Sequence, residues 1–157
     1  MPVRHHRRRR QWFLVPESAK PLRLVAMDAE DLKVLSALCQ DAVFPANEMQ
    51  WQPKHQRFGL LLNRFRWEDV PMAERAGRKP ERVQSVLAIE NVLRVASQGV
   101  DRSDADTILS VLAVDYEAAE EAVLITLAGD GALRLSVSDL EVALRDVTKP
   151  YMAVSGK

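Results

Sequence analysis

The chain has 157 residues, 47% of them apolar and 6% aromatic, with 22 Lys and Arg, 22 Asp and Glu, three His and one Cys. That length suits a single domain, able to bury about two thirds of the surface of its unfolded chain without metal or disulfide help. One thiol (Cys39) cannot close an intramolecular disulfide, one Cys with three scattered His cannot build a four-ligand zinc site, and no apolar run reaches the roughly 20 residues that span a bilayer.

The balanced charge hides an asymmetry. Residues 1–10 carry five Arg and no acid, leaving 22 acids against 17 bases from residue 11 onward. Arg7, Arg8, Arg9 and Arg10 have the composition of a polyanion contact, nucleic acid included, and equally that of a disordered extension. A twin-arginine export signal does not fit, because the apolar run Trp12–Val15 is ended by Pro16, Glu17 and Lys20 before a full signal core is built. The expected organisation is a disordered Arg-rich extension over 1–20, one globular domain over 21–150 and a tail over 151–157.

A short strand is expected at Leu22–Ala26, followed by a helix. Asp28 is a suitable N-cap, Glu30 and Asp31 favour the positive end of the helix dipole, and Leu32, Leu35, Leu38, Cys39, Ala42 and Val43 recur at helical spacing. Pro45 places the helix end near Phe44. Cys39 lies on the apolar stripe and reads as an inert buried thiol.

Beyond the helix the period changes to two. Met49–Gln52 alternates, Pro53–Gln56 supplies a turn, and Arg57–Trp67 is a long strand, apolar on both faces in its first half. Residues 68–81 mix acids, bases, Pro71, Gly77 and Pro80, as a surface loop or a short helix over Val70–Arg75. Strands follow at Val83–Ile89, Leu93–Ser97, Thr107–Tyr116, Val123–Leu127, Leu133–Val137 and Val142–Val147, with a two-residue hairpin turn drawn from Gly129-Asp130-Gly131. Alternation breaks at Glu90-Asn91 and again, 48 residues on, at Ser138-Asp139, as at corners where a strand passes into a neighbouring sheet. The expected fold class is therefore α+β: an antiparallel β-rich barrel or sandwich with one N-terminal helix packed on it. A pleckstrin-homology-like barrel and a duplicated four-strand unit, Met49–Ser97 and Thr107–Val147, are its specific versions.

Particular strings carry more than pattern. D-A-E-D-L from Asp28, Q-D-A-V from Gln40, N-R-F-R-W-E from Asn63, E-R-V-Q-S-V-L from Glu81, Q-G-V-D-R from Gln98, L-A-G-D-G-A from Leu127 and D-V-T-K-P-Y from Asp146 resemble an uncharacterised alphaproteobacterial family, domain of unknown function 2948. The resemblance covers nearly everything after Pro21. It implies a cytoplasmic location and transfers no activity, substrate or catalytic residue.

Motifs for catalysis are sparse. Asp101, Asp104 and Asp106 lack the glycine and bidentate glutamate of a calcium loop, His55 falls in a turn, and no nucleophile elbow, Walker or dinucleotide fingerprint is present. Neither a catalytic residue, a metal ligand nor a cofactor is assigned, and an enzyme is the less favoured class. The candidate binding residues are Asn63, Arg64, Arg66, Trp67 and Glu68. Along this strand Phe58, Leu60 and Leu62 share a face with Arg64 and Arg66, so the apolar face turns cationic where the strand is expected to leave the core. Arg and Trp are enriched in binding hot spots, which favours a protein partner or a homodimer. An anionic ligand or nucleic acid is the second reading. The structural alternative is an Arg–Glu network with Trp67 as a lid on the core.

Overall fold

The computed structural model describes residues 20–152 other than 102, 104 and 105. The Arg-rich opening, with Arg7–Arg10, and Asp104 lie outside the described residues.

Strand β1 (Arg23–Ala26) leads into helix α1 (Ala29–Cys39). The Asp28 side chain accepts a hydrogen bond from the Asp31 amide at 2.8 Å, closing the first turn as the sequence predicts. The helix does not run on to Phe44. Asp41 takes a φ of +65°, its amide donates to the Val111 carbonyl, and Val43–Pro45 become strand β2. Ala42 and Val43 match the helical spacing, yet sheet pairing claims this stretch.

Strands β3 (Gln50–Gln52) and β4 (Arg57–Phe65) flank the expected turn, in which Gln56 has a φ of +51°. The excursion after β4 contains a second helix, α2 (Val70–Ala76), before β5 (Glu81–Ile89) and β6 (Val92–Gln98). The remaining strands are β7 (Ile108–Glu117), β8 (Ala122–Leu127), β9 (Ala132–Val137), β10 (Val142–Asp146) and β11 (Tyr151–Met152). Positive φ at the β8–β9 turn falls on Gly129 and Asp130, not on Asp130 and Gly131. The Leu127 amide donates to the Gly131 carbonyl, so the loop is the three residues 128–130 rather than two.

All the pairings are antiparallel, in the order β1-β10-β5-β4-β2-β7-β8-β9-β6, with β11 added beside β5 and β3 beside β4. The path is open, ending at β1 and β6, where a closed barrel was one expectation. Both predicted corners are present and face each other. The Glu90 amide donates to the Glu141 carbonyl, and the Ser138 amide to the Asn91 carbonyl. At these corners β5 passes into β6 and β9 into β10, while β5 pairs with β10 and β6 with β9. Each segment that the sequence pairs as a repeat is thus a three-strand meander whose fourth strand joins the other meander.

Helix α1 packs on β7, and less extensively on β1 and β4. Leu32, Leu35 and Cys39 enter one core with Leu60, Leu62, Leu87, Val111, Ile125 and Leu144. Leu35 is fully buried, so Leu35→Ala is expected to cost about 2–5 kcal/mol in chemical denaturation. Lys33→Ala, on the exposed side, is expected to leave the midpoint unchanged.

Candidate functional site

Alternation places Arg64 on the inner face of β4 behind Phe58, Leu60 and Leu62, as predicted, and Arg66 follows just past the strand end. The strand does not emerge there. Arg64 and Arg66 are 0% and 1% exposed, because residues 67–81 fold back over this end of the sheet and supply carboxylates to it.

The Arg64 guanidinium is fully committed. Its Nη1 and Nη2 donate to the two Glu68 oxygens at 3.0 and 2.9 Å, Nη2 reaches Asp146 at 3.0 Å, Nε donates to Ser85 Oγ at 3.0 Å, and Nη1 also donates to the Phe65 carbonyl. Asp146 in turn accepts from Ser85 Oγ at 2.7 Å and from the Leu22 amide at 2.9 Å. Burial works against the charge of Arg64, but the hydrogen bond and charge of Glu68, and then those of Asp146, outweigh it and raise its pKa above the ordinary guanidinium value. One side chain therefore joins β4, β5, β10, the approach to β1 and the turn before α2.

Arg66 is less complete. Nη1 pairs with Glu81 and lies 3.9 Å from an Asp69 oxygen, while Nε lies 3.9 Å from a Glu68 oxygen, and Nε and Nη2 are buried without a hydrogen-bond partner among the described residues. Asp69 instead forms a two-pronged pair with Arg78 at 2.8 and 3.0 Å, and that hydrogen bond holds its carboxyl below the usual range. Arg64 and Arg66 are bound to the fold's own acids, and neither offers a free cation to solvent.

The outward face of the same strands is different. Asn63 accepts from Arg82, whose guanidinium carbon lies 3.8 Å over the Phe65 ring. Phe65 meets Trp67 at 5.5 Å between centroids, and the Trp67 indole donates to the Gln40 carbonyl. Trp67 is half-buried, held against Phe65 and tied to the end of α1, and is not among the residues packed on the core, where the structural alternative puts it. Register then sets out two rows across the sheet. One runs Val25, Ala143, Ala88, Gly59; the next runs Arg23, Arg145, Val86, Leu61. Small side chains in the first row hollow the surface. Three shallow depressions adjoin one another, the middle one sharing Val86 and Ala88 with the second and Leu61 and Glu48 with the third, and so form one strip.

Sequence reasoning missed this strip. Its signal was present in the alternation of β5 and β10, whose outward positions include Val86, Ala88 and Ala143, beside the polar Arg82, Gln84 and Arg145 that a solvated face would carry throughout. Elsewhere the predicted groups stay apart. His55 is exposed in its turn, and Asp101 is lowered in pKa by hydrogen bonds from the Ser103 side chain and amide. No cluster of metal-ligating residues occurs among the described residues. Burial pushes the Cys39 thiol up to about 12, with nearby Arg64 only partly opposing it. A thiol reagent at pH 8 is accordingly expected to leave native Cys39 unlabelled and to modify it in denaturant. Among the described residues no helix is long and apolar enough to cross a membrane.

No curated protein and no solved structure matches the chain. A family model, described as a protein of unknown function (DUF2948), matches residues 22–156, which takes in both sheet faces, the arginine network and both helices. The chain belongs to the DUF2948 family.

Proposed function

We propose that this chain is a cytoplasmic, non-catalytic binding domain that presents the outward face of its bent sheet, together with the Asn63–Glu68 strand end, to a protein partner. The observation that carries this reading is the continuity of the strip through Val25, Ala143, Ala88, Val86, Gly59 and Leu61. Val25 is 57% and Leu61 39% exposed, so apolar surface that most sheets cover is open here. Within the strand end, Asn63 and Trp67 form the contact surface with Arg82 and Phe65, while Arg64, Arg66 and Glu68 hold that surface in place from behind.

A single charge on the strip tests the reading. Val86 points outward and is flanked by Arg145 and Leu61, so Val86→Glu is expected to leave the thermal midpoint within a few degrees and to abolish partner recovery by the full chain. Equal recovery with the wild type would remove the sheet face from consideration. Sedimentation of the isolated chain distinguishes a second copy from a different protein.

A further inference from the structure

We propose that the partner presents an acidic peptide segment, laid beside β1, whose carboxylates are received by Arg23, Arg145 and Arg75. The inference rests on the sheet-face reading above and adds the chemistry of what binds there.

Arg23 and Arg145 are direct cross-strand partners, both exposed on the outward face. Like charges in that relation oppose folding, and neither arginine has an acidic partner among the described residues. A carboxylate between them would relieve the repulsion. Arg23 also forms the wall between the apolar strip and a neighbouring depression of about 530 Å³, lined by Lys20, Leu22, Pro71, Met72 and Arg75. That volume is far larger than one anion and fits side chains with apolar bodies as well as charged ends. Among the described residues Glu68 is the sole acid in its wall, and both its oxygens are taken by Arg64. From residue 11 onward acids outnumber bases by 22 to 17, so a patch with Arg23, Arg75 and Arg145 and, among the described residues, no uncommitted carboxylate departs from the rest of the chain.

Peptide is favoured over a free anion by the position of β1. Among the described residues it is a terminal strand of the sheet, paired on one side only, to β10, and such an edge accepts a further extended strand by backbone hydrogen bonding. A strand added there sends alternate side chains toward Arg23 and Val25.

The test is selection from a phage-displayed random peptide library on the immobilised full chain, followed by fluorescence anisotropy of one enriched peptide at low and high salt. The expected sequences carry two or more Asp or Glu beside apolar residues, and their affinity falls with salt. Arg23→Glu is expected to weaken binding at least tenfold while raising the melting temperature, since Glu facing Arg145 replaces a repulsive pair by an attractive one. Arg75→Ala is expected to weaken it several-fold. Neutral peptides that respond to Val86→Glu and ignore Arg23→Glu would overturn this inference and leave the sheet-face reading standing. Failure to enrich any peptide would overturn this inference alone, and labelled oligothymidylate bound with the same dependence on Arg23 would overturn the choice of an acidic peptide.

Discussion

Arg64→Met is expected to destabilise the protein by about 3–5 kcal/mol, the usual result of removing one member of a buried pair. Asp146, with a side chain only 2% exposed, would be left buried with Ser85 and the Leu22 amide as its hydrogen-bond partners and without its cation. Glu68 is 23% exposed and can turn toward water, so most of the loss falls on Asp146. Arg66→Met is the informative comparison. It breaks the pair with Glu81, but Glu81 is 28% exposed, and the substitution also removes two buried donors that have no partner. Its cost should be less than half that of Arg64→Met. Equal losses in chemical denaturation would mean that the two guanidiniums share one network and that the geometric distinction between them carries no energy.

The same region sets a response to acid. Asp69 has its folded pKa lowered by Arg78, so its contribution to stability is complete above the ordinary carboxylate range, around pH 4, and is lost as pH falls through the lower folded value. Asp69→Asn should therefore flatten the decline in stability between pH 5 and pH 2, measured by denaturant titration at each pH.

Local signals were enough for most elements of this fold. Asp28 capped its helix, and the alternation from Phe58 to Arg64 put every inward side chain on the correct face. The paired breaks at Glu90-Asn91 and Ser138-Asp139 located both corners. What stayed hidden depends on residues distant in sequence. Arg64 looked like an emerging cation because its burial is decided by Asp146, 82 positions away, and by the way residues 67–81 fold back. The facing of Arg23 and Arg145 likewise follows from the β1–β10 register, which no local period reports. Of the residues that the sequence groups at this strand end, the structure places Arg64, Arg66 and Glu68 in an inner brace and Asn63 and Trp67 on the outward side.

Strand β2 is the other feature that periodicity conceals, and Phe44→Ala is expected to cost about 3–5 kcal/mol. Phe44 is 2% exposed and pairs with Leu109, while its neighbour Val43 pairs with both Asn63 and Ser110, so three residues bind β4 on one side to β7 on the other. Emptying that site should loosen the join between the two meanders before it loosens the helix. Hydrogen exchange separates the possibilities. If Phe44 belongs to the strand, the amides of Val111 and Ala46, which donate to the Ala42 and Thr107 carbonyls, should lose protection first, with α1 amides still protected. If the chain instead continued as helix to Phe44, as its spacing alone implies, protection would fall along Leu35–Cys39 together with Phe44. The second pattern would remove β2 as the link between the meanders, and with it the support that keeps Asn63 and Leu61 in register on the outward face.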